Sequence, residues 1–186
     1  LTLYPIAKIG GQIDLPGSKS LTNRALLRAA VAHGKTTPSN ILFSDDTDRM
    51  IQALKALGTD LTIDAQNHSC EVIGRAGPFH AQATDLHLDL GNAGTALRPL
   101  VSMLSLSEGR FVIDGDDYMR VRPIQHLPDA SSNSAVPTEC LGQPGYPPLQ
   151  INGRDPQDGA IQLHGSRSGQ SLTALLMTLP MAPNAS

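Results

Sequence analysis

The chain has 186 residues, 40% apolar and 17% charged, enough to bury a core and unlike a coiled coil or an intrinsically disordered segment. Lys+Arg number 14 and Asp+Glu 17, for a net charge of −3, and aromatic residues reach only 3% with no Trp, which excludes a strongly basic or base-stacking nucleic-acid surface. No apolar run approaches the ~20 residues of a membrane helix. No signal-peptide pattern opens the sequence. Two cysteines, Cys70 and Cys140, form no Cys-x-x-Cys pair and fit a reducing cytoplasm. The six histidines stand singly, so no metal site is expected.

In chain order, the first readable segment is Ile13-Asp-Leu-Pro-Gly17-Ser-Lys-Ser-Leu-Thr-Asn-Arg24. Its alternation predicts a half-buried strand that breaks at Gly17. A helix is predicted from about Ser18 to His33, with Gly34 as its stop. Asp45 and Asp46 open a second predicted helix that carries Met50, Ile51, Leu54 and Leu57 on one face and ends at Gly58. Strands are predicted at Leu61–Asp64 and Cys70–Ile73. The pattern then restarts. A strand over Leu86–Leu90 meets Gly91-Asn-Ala-Gly94, followed by a helix to about Ser107 and a strand over Phe111–Asp114. A short helix is expected near Arg122-Pro123. A third start appears as a strand over Ile161–His164, then Gly165-Ser-Arg-Ser168, then a helix from Ser168 to Leu179.

The turn glycines stand at 17, 91 and 165, two equal steps of 74 residues. This is longer than the common solenoid repeats, so a larger α/β unit repeated within one domain is expected. A strand that enters a helix through Gly and small polar residues leaves backbone N–H groups unpaired, and the helix dipole adds partial positive charge. Three such ends predict one shared anion site. The side chains agree: Lys19, Ser20 and Arg24 in the first turn; Asn92, Thr95 and Arg98 in the second; Arg167, Ser168 and Gln170 in the third; with Arg120 and Arg122 after the Phe111–Asp114 strand. Gly17-Ser-Lys-Ser20 lacks the first glycine of a nucleotide P-loop, and the second turn fits no dinucleotide fingerprint.

These residues resemble the 5-enolpyruvylshikimate-3-phosphate synthase family. Leu15-Pro-Gly-Ser-Lys-Ser-Leu-Thr-Asn-Arg-Ala-Leu27 is similar to its first signature and Leu90-Gly-Asn-Ala-Gly-Thr-Ala-Leu-Arg-Pro-Leu100 to its second. Met119-Arg-Val-Arg-Pro-Ile124, Tyr146-Pro-Pro-Leu149 and Gln170-Ser-Leu-Thr-Ala-Leu-Leu-Met177 follow in order. The related UDP-N-acetylglucosamine enolpyruvyl transferase reads Gly-Ala-Lys-Asn-Ala at the first turn, unlike this chain. The resemblance implies an α/β (α+β) enolpyruvyl-transferase-like domain of repeated βαβαββ units, its third unit truncated. Residues 13–186 would form an incomplete N-terminal substrate-binding domain. Residues 1–12 would be a leading strand belonging to a second domain absent from this sequence.

The implied activity is transfer of the enolpyruvyl group of phosphoenolpyruvate to the 5-hydroxyl of shikimate 3-phosphate, with release of phosphate. This is a transferase step of the shikimate pathway toward chorismate and aromatic amino acids. It passes through a tetrahedral intermediate without metal or organic cofactor. Lys19 would contact both substrates and be catalytic. Ser20 and Arg24 would hold the shikimate end, with Arg24 on its carboxylate. Gly94 and Arg122 would hold phosphoenolpyruvate, Ser168 the 3-phosphate, and Gln170 would lie between the ligands. Thr95 and Pro99 would support the second turn. Glyphosate would enter the phosphoenolpyruvate site. The enzyme would be cytoplasmic, monomeric when full length, and without nucleic-acid or membrane partners. The alternatives are a non-catalytic or split-half anion-binding module and the UDP-sugar transferase.

Three departures stand out. The third turn reads Ser168-Gly169-Gln170 where the family has Ser-Ser-Gln. The sequence starts at Leu1 and ends at Ser186, less than half the family's length, so the implied acid–base carboxylates are missing and the isolated chain is expected to be weakly folded and inactive. Asp129–Cys140 is rich in Ser and Asn where the family has an amphipathic helix. Codons for Leu-Val-Lys-Leu-Gly-Gly, read one base later, give Ser-Ser-Asn-Ser-Ala and the start of Val, as at Ser131–Val136. A variable loop and a pair of compensating frame errors over 131–140 both remain open.

Overall fold

A computed structural model of the protein describes residues 4–5, 8, 10–81, 85–124, 138–153 and 169–181. Helix α1 (Lys19–Val31) begins where Ser18 takes an extended conformation and its hydroxyl faces the Leu21 N–H as a cap. Its buried face carries Asn23, Leu26, Leu27 and Ala30. Strand β1 (His33–Thr36) follows at once, because Gly34 adopts φ +80° and lets the chain reverse tightly. Helix α2 (Asp45–Ala56) is started by a capping box, with the Ser44 N–H donating to Thr47 Oγ1 at 2.8 Å. It buries Met50, Ile51 and Leu54 as its periodicity predicts. Strands β2 (Asp60–Asp64) and β3 (Ser69–Arg75) complete the first unit.

The second unit comprises β4 (Leu86–Asp89), α3 (Gly94–Ser105), β5 (Gly109–Asp114), the single-turn α4 (Asp117–Arg120), β6 (Thr138–Cys140) and β7 (Leu149–Gly153). Helix α5 (Gly169–Thr178) and a 3-10 turn, Leu179–Met181, come last. The first sheet has strand order β1-β3-β2 and the second β4-β5-β7-β6. In the second sheet β4 runs parallel to β5, and the remaining pairs of both sheets are antiparallel. With β1 matched to β5, β3 to β7 and β2 to β6, the two sheets have one order, as an internal repeat requires. Helix α3 is buried around most of its circumference and packs against both α1 and α5. The core therefore runs between the first helix of each unit and its sheet.

Two expectations are corrected. Ile13–Leu15 forms no strand, and Ile13 and Leu15 are 81% and 77% exposed. Alternation makes a strand only when a neighbour supplies the ladder, and no described strand lies alongside; Pro16 also removes a donor. The helix expected at Arg122-Pro123 sits one turn earlier, as α4. Asp116 sets its start by accepting the Met119 N–H at 2.9 Å. Pro123 instead disfavours a helical residue before it.

The described residues end at Ile124 and resume at Thr138, so most of the disputed 131–140 segment lies outside them, while Thr138–Cys140 as written pairs with β7. The predicted strand Ile161–His164, Arg167 and Ser168 also lie outside the described residues, as do 1–3, 6–7 and 9 of the leading segment.

Candidate functional site: three helix starts around a cationic recess

The helix starts converge because α1, α3 and α5 pack side by side. Lys19, Ser20 and Arg24 occupy the first two turns of α1, Gly94 and Thr95 open α3, and Gln170 is the second residue of α5. Ser20, Gly94 and Ser168 each stand three residues beyond their turn glycine, and Arg24 and Arg98 each stand seven beyond. A recess of about 120 Å³ is lined by Ser20, Arg24, Thr95, Pro99, Gly169, Gln170 and Thr173, so all three helix starts contribute to one cavity.

Named contacts tie the starts together. The Asn23 amide donates to Thr95 Oγ1 at 2.9 Å, joining α1 to α3. Arg98 Nη1 donates to Gln170 Oε1 at 2.7 Å, joining α3 to α5. Arg24 Nε donates to the Ser20 carbonyl at 3.0 Å. Lys19 Nζ lies 3.3 Å from Asp46 Oδ1, and Thr95 donates to Asp46 Oδ2, also at 3.3 Å. Arg122 lies against the second turn, where a Cβ on Gly94 would meet its Nη1 at 2.7 Å. A side chain there would displace the guanidinium, which explains a glycine at this point.

The electrostatics distinguish the arginines. Arg49 pairs with Asp89, Arg110 with Asp85, and Arg120 with Asp114. Among the described residues five arginines have no carboxylate partner: Arg28 and Arg75, which donate to the carbonyls of Met177 and of Leu57 and Gly58, and Arg24, Arg98 and Arg122, which stand at the recess or beside it. Burial, and then the charge of Arg122, lower the proton affinity of Arg98. Uncompensated guanidinium groups packed close together favour an anion between them. A larger concavity of about 490 Å³ lies beside the second turn, but Asp45, Asp46, Asp48 and Asp116 line it against the single cation Arg49, and that excess of carboxylates disfavours an anion.

Arg120 is thereby separated from Arg122, with which the sequence grouped it. Its Nε and Nη2 donate to Asp114 Oδ1 and Oδ2 at 3.0 and 2.6 Å, a two-point pair that fixes the loop after β5. These bonds lower the Asp114 carboxyl below its ordinary value, partial burial opposes them, and the Gly115 N–H adds to the lowering. A carboxyl lowered in the folded state stabilises above its unfolded value and loses that contribution as pH falls through the folded one. Asp114→Asn is therefore expected to lower the melting temperature at pH 7. The difference from wild type should close as pH drops below the usual carboxylate range. An undiminished gap in acid would refute this account.

Asp46 is a site residue the sequence reading missed as such, having seen only a helix start. Three aspartates crowd the first turn of α2, and nothing in the sequence marks which one reaches the other turns. Arg98 was visible as a second-turn cation, but its reach across to Gln170 was not.

The fold is that of an enolpyruvyl transferase. EPSP synthase from Acinetobacter baumannii superposes with a TM-score of 0.80 at 27% identity, covering 92% of this chain and 38% of that one. The enolpyruvyl transferase NikO from Streptomyces tendae shares the fold at a TM-score of 0.56 and 14% identity. The family model for EPSP synthase (3-phosphoshikimate 1-carboxyvinyltransferase) matches residues 3–185, and the chain belongs to that family. It is 51% identical over 183 residues to the 3-phosphoshikimate 1-carboxyvinyltransferases of Escherichia coli (strain SMS-3-5 / SECEC) and Shigella boydii serotype 18, covering 98% of this chain. The chain spans 42% of the length of these curated relatives.

Proposed function

We propose that this chain supplies one substrate-binding face of an enzyme that transfers the enolpyruvyl group of phosphoenolpyruvate to shikimate 3-phosphate, releasing phosphate. The observation that carries the reading is the group of carboxylate-free arginines, Arg24, Arg98 and Arg122, gathered at three helix starts in a net-acidic chain. Both substrates are multiply charged anions, which such a set of cations would attract. Arg24 and Ser20 would hold the shikimate end. Arg122 and the Gly94 N–H would hold phosphoenolpyruvate, Ser168 the 3-phosphate, and Gln170 would bridge the two ligands. Lys19 would reach both.

Among the described residues the recess lining includes no carboxylate. These residues would contribute orientation and stabilisation of charge on the tetrahedral intermediate. Glyphosate, an anion itself, would compete for the phosphoenolpyruvate side. Monomeric, cytoplasmic operation belongs to the same reading; among the described residues no helix is long and apolar enough to cross a membrane.

The test is phosphate release by the native gene product. Release is expected when shikimate 3-phosphate and phosphoenolpyruvate are supplied together and not when either is omitted. Failure to bind shikimate 3-phosphate at millimolar concentration would sink the proposal.

A further inference from the structure

We propose that Asp46 is a positioning residue for Lys19, held in place by Thr95 and the buried Asn23 behind it. The inference rests on the enolpyruvyl-transfer reading, in which Lys19 meets both substrates. A lysine ammonium rides on four flexible carbons and loses much rotamer freedom when fixed. Lys19 is 45% exposed, so packing alone does not hold it, whereas Asp46 is only 20% exposed. Asp46 uses both oxygens across the seam, one toward Lys19 on α1 and the other toward Thr95 on α3.

The chain of bonds has a direction. The Thr95 hydroxyl owns one proton and donates it to Asp46, so toward Asn23 it must accept. That requirement sets which end of the Asn23 amide faces Thr95, and the Asn23 side chain is fully buried and cannot turn to water. Asn23 thus anchors Thr95, Thr95 orients Asp46, and Asp46 holds the ammonium.

The ordinary role of a first-turn aspartate does not account for this. Ser44 and Thr47 already close the capping box, and Asp45 and Asp48 already oppose the α2 dipole. Asp46 is the first-turn carboxylate that bonds to both α1 and α3.

The experiment uses the native gene product and its Asp46→Asn and Thr95→Val variants. Asp46→Asn keeps an acceptor for Thr95 but removes the charge that holds Lys19. Its kcat is expected to fall by about 10- to 100-fold, the scale of a catalytic group displaced by about 1 Å. KM for both substrates should stay within about twofold, because Lys19 is still present and no anion ligand is lost. Thr95→Val should repeat the pattern more weakly. The double variant should be no slower than Asp46→Asn alone, since both changes cut one chain.

Reductive methylation with peptide mass analysis gives a readout apart from turnover: the Lys19 amine should be modified faster in Asp46→Asn than in wild type. If Asp46→Asn does not fold, Thr95→Val carries the same two measurements. Wild-type turnover with an unchanged kcat in the variants, or an unchanged Lys19 modification rate, overturns this proposal and leaves the functional reading intact. A wild-type protein that neither binds shikimate 3-phosphate nor releases phosphate overturns the functional reading, and this proposal with it.

Discussion

Lys19→Ala is expected to lower kcat/KM for phosphoenolpyruvate by about 10³-fold in the native gene product, with little change in melting temperature. The two halves of this expectation have separate causes. Lys19 is half exposed and its one ion pair among the described residues is with Asp46, at 3.3 Å. Exposed pairs of that kind contribute roughly 0–1 kcal/mol to folding. In the proposed function the same ammonium would face two polyanions, and removing one donor to a developing anion costs about 3–4 kcal/mol. That difference corresponds to 10²- to 10³-fold in rate. The upper end applies because truncation also leaves Asp46 unpaired beside the anions, adding a repulsive charge. Lys19→Arg should fall between, since it restores charge but presents a wider, longer fork. Steady-state kinetics at varied phosphoenolpyruvate decide the matter. A loss smaller than about tenfold would place Lys19 outside the reacting centre.

What was legible in the sequence was whatever is encoded locally. Glycine turns at equal spacing predicted the helix starts of α1 and α3, and apolar periodicity predicted the α2 face that buries Met50, Ile51 and Leu54. Lys19, Ser20, Arg24, Gly94 and Gln170 could be placed at helix starts because each sits within one or two turns of such a glycine. What depended on a distant partner was not legible. Ile13–Leu15 has the alternation of a strand and no neighbour to pair with among the described residues. Arg120 and Arg122 read alike along the chain, yet Asp114 engages the first and leaves the second against Gly94. Strand β1 went unseen because four residues, mostly polar and exposed, carry no periodic signal; it exists through its pairing with β3. Asp46 and Thr95 lie 49 residues apart and meet only because α2 and α3 begin at the same place in space.

The repeat also supplies the largest expected stability effect. Gly74→Ala is expected to destabilise the fold by about 3 kcal/mol, the range of overpacking against a surface that cannot move aside. Gly74 lies on the central strand of the first sheet, where a Cβ would sit 2.1 Å from the Ala32 carbonyl oxygen and 2.6 Å from that of Ala29. Both are backbone atoms at the C-terminal end of α1, not side chains that could swing away. The chain leaving β3 then closes that helix end, with the N–H groups of Ala76 and Gly77 donating to the carbonyls of Ala32 and Val31 at 2.9 and 3.0 Å. A methyl group that lifts the strand off the helix would weaken these bonds as well. The second sheet repeats the device: a Cβ on Gly153 would lie 1.9 Å from the Ser107 carbonyl oxygen at the end of α3. A glycine that ordinarily weakens a strand is required here by the close approach of backbone to backbone. For a chain of this size the loss corresponds to a fall in melting temperature of about 6–12 °C. Gly77→Ala is the control, since a Cβ there meets nothing within 4 Å; it should shift stability by less than about 0.5 kcal/mol. Equal melting temperatures for the two variants would refute the docking argument. The helix pressed at its C-terminal end by Gly74 is the one that begins at Lys19, so a folded Gly74→Ala protein should also lose turnover. The strand glycine sets how closely the C-terminal end of α1 seats on the sheet, and Lys19 stands at the other end of that helix.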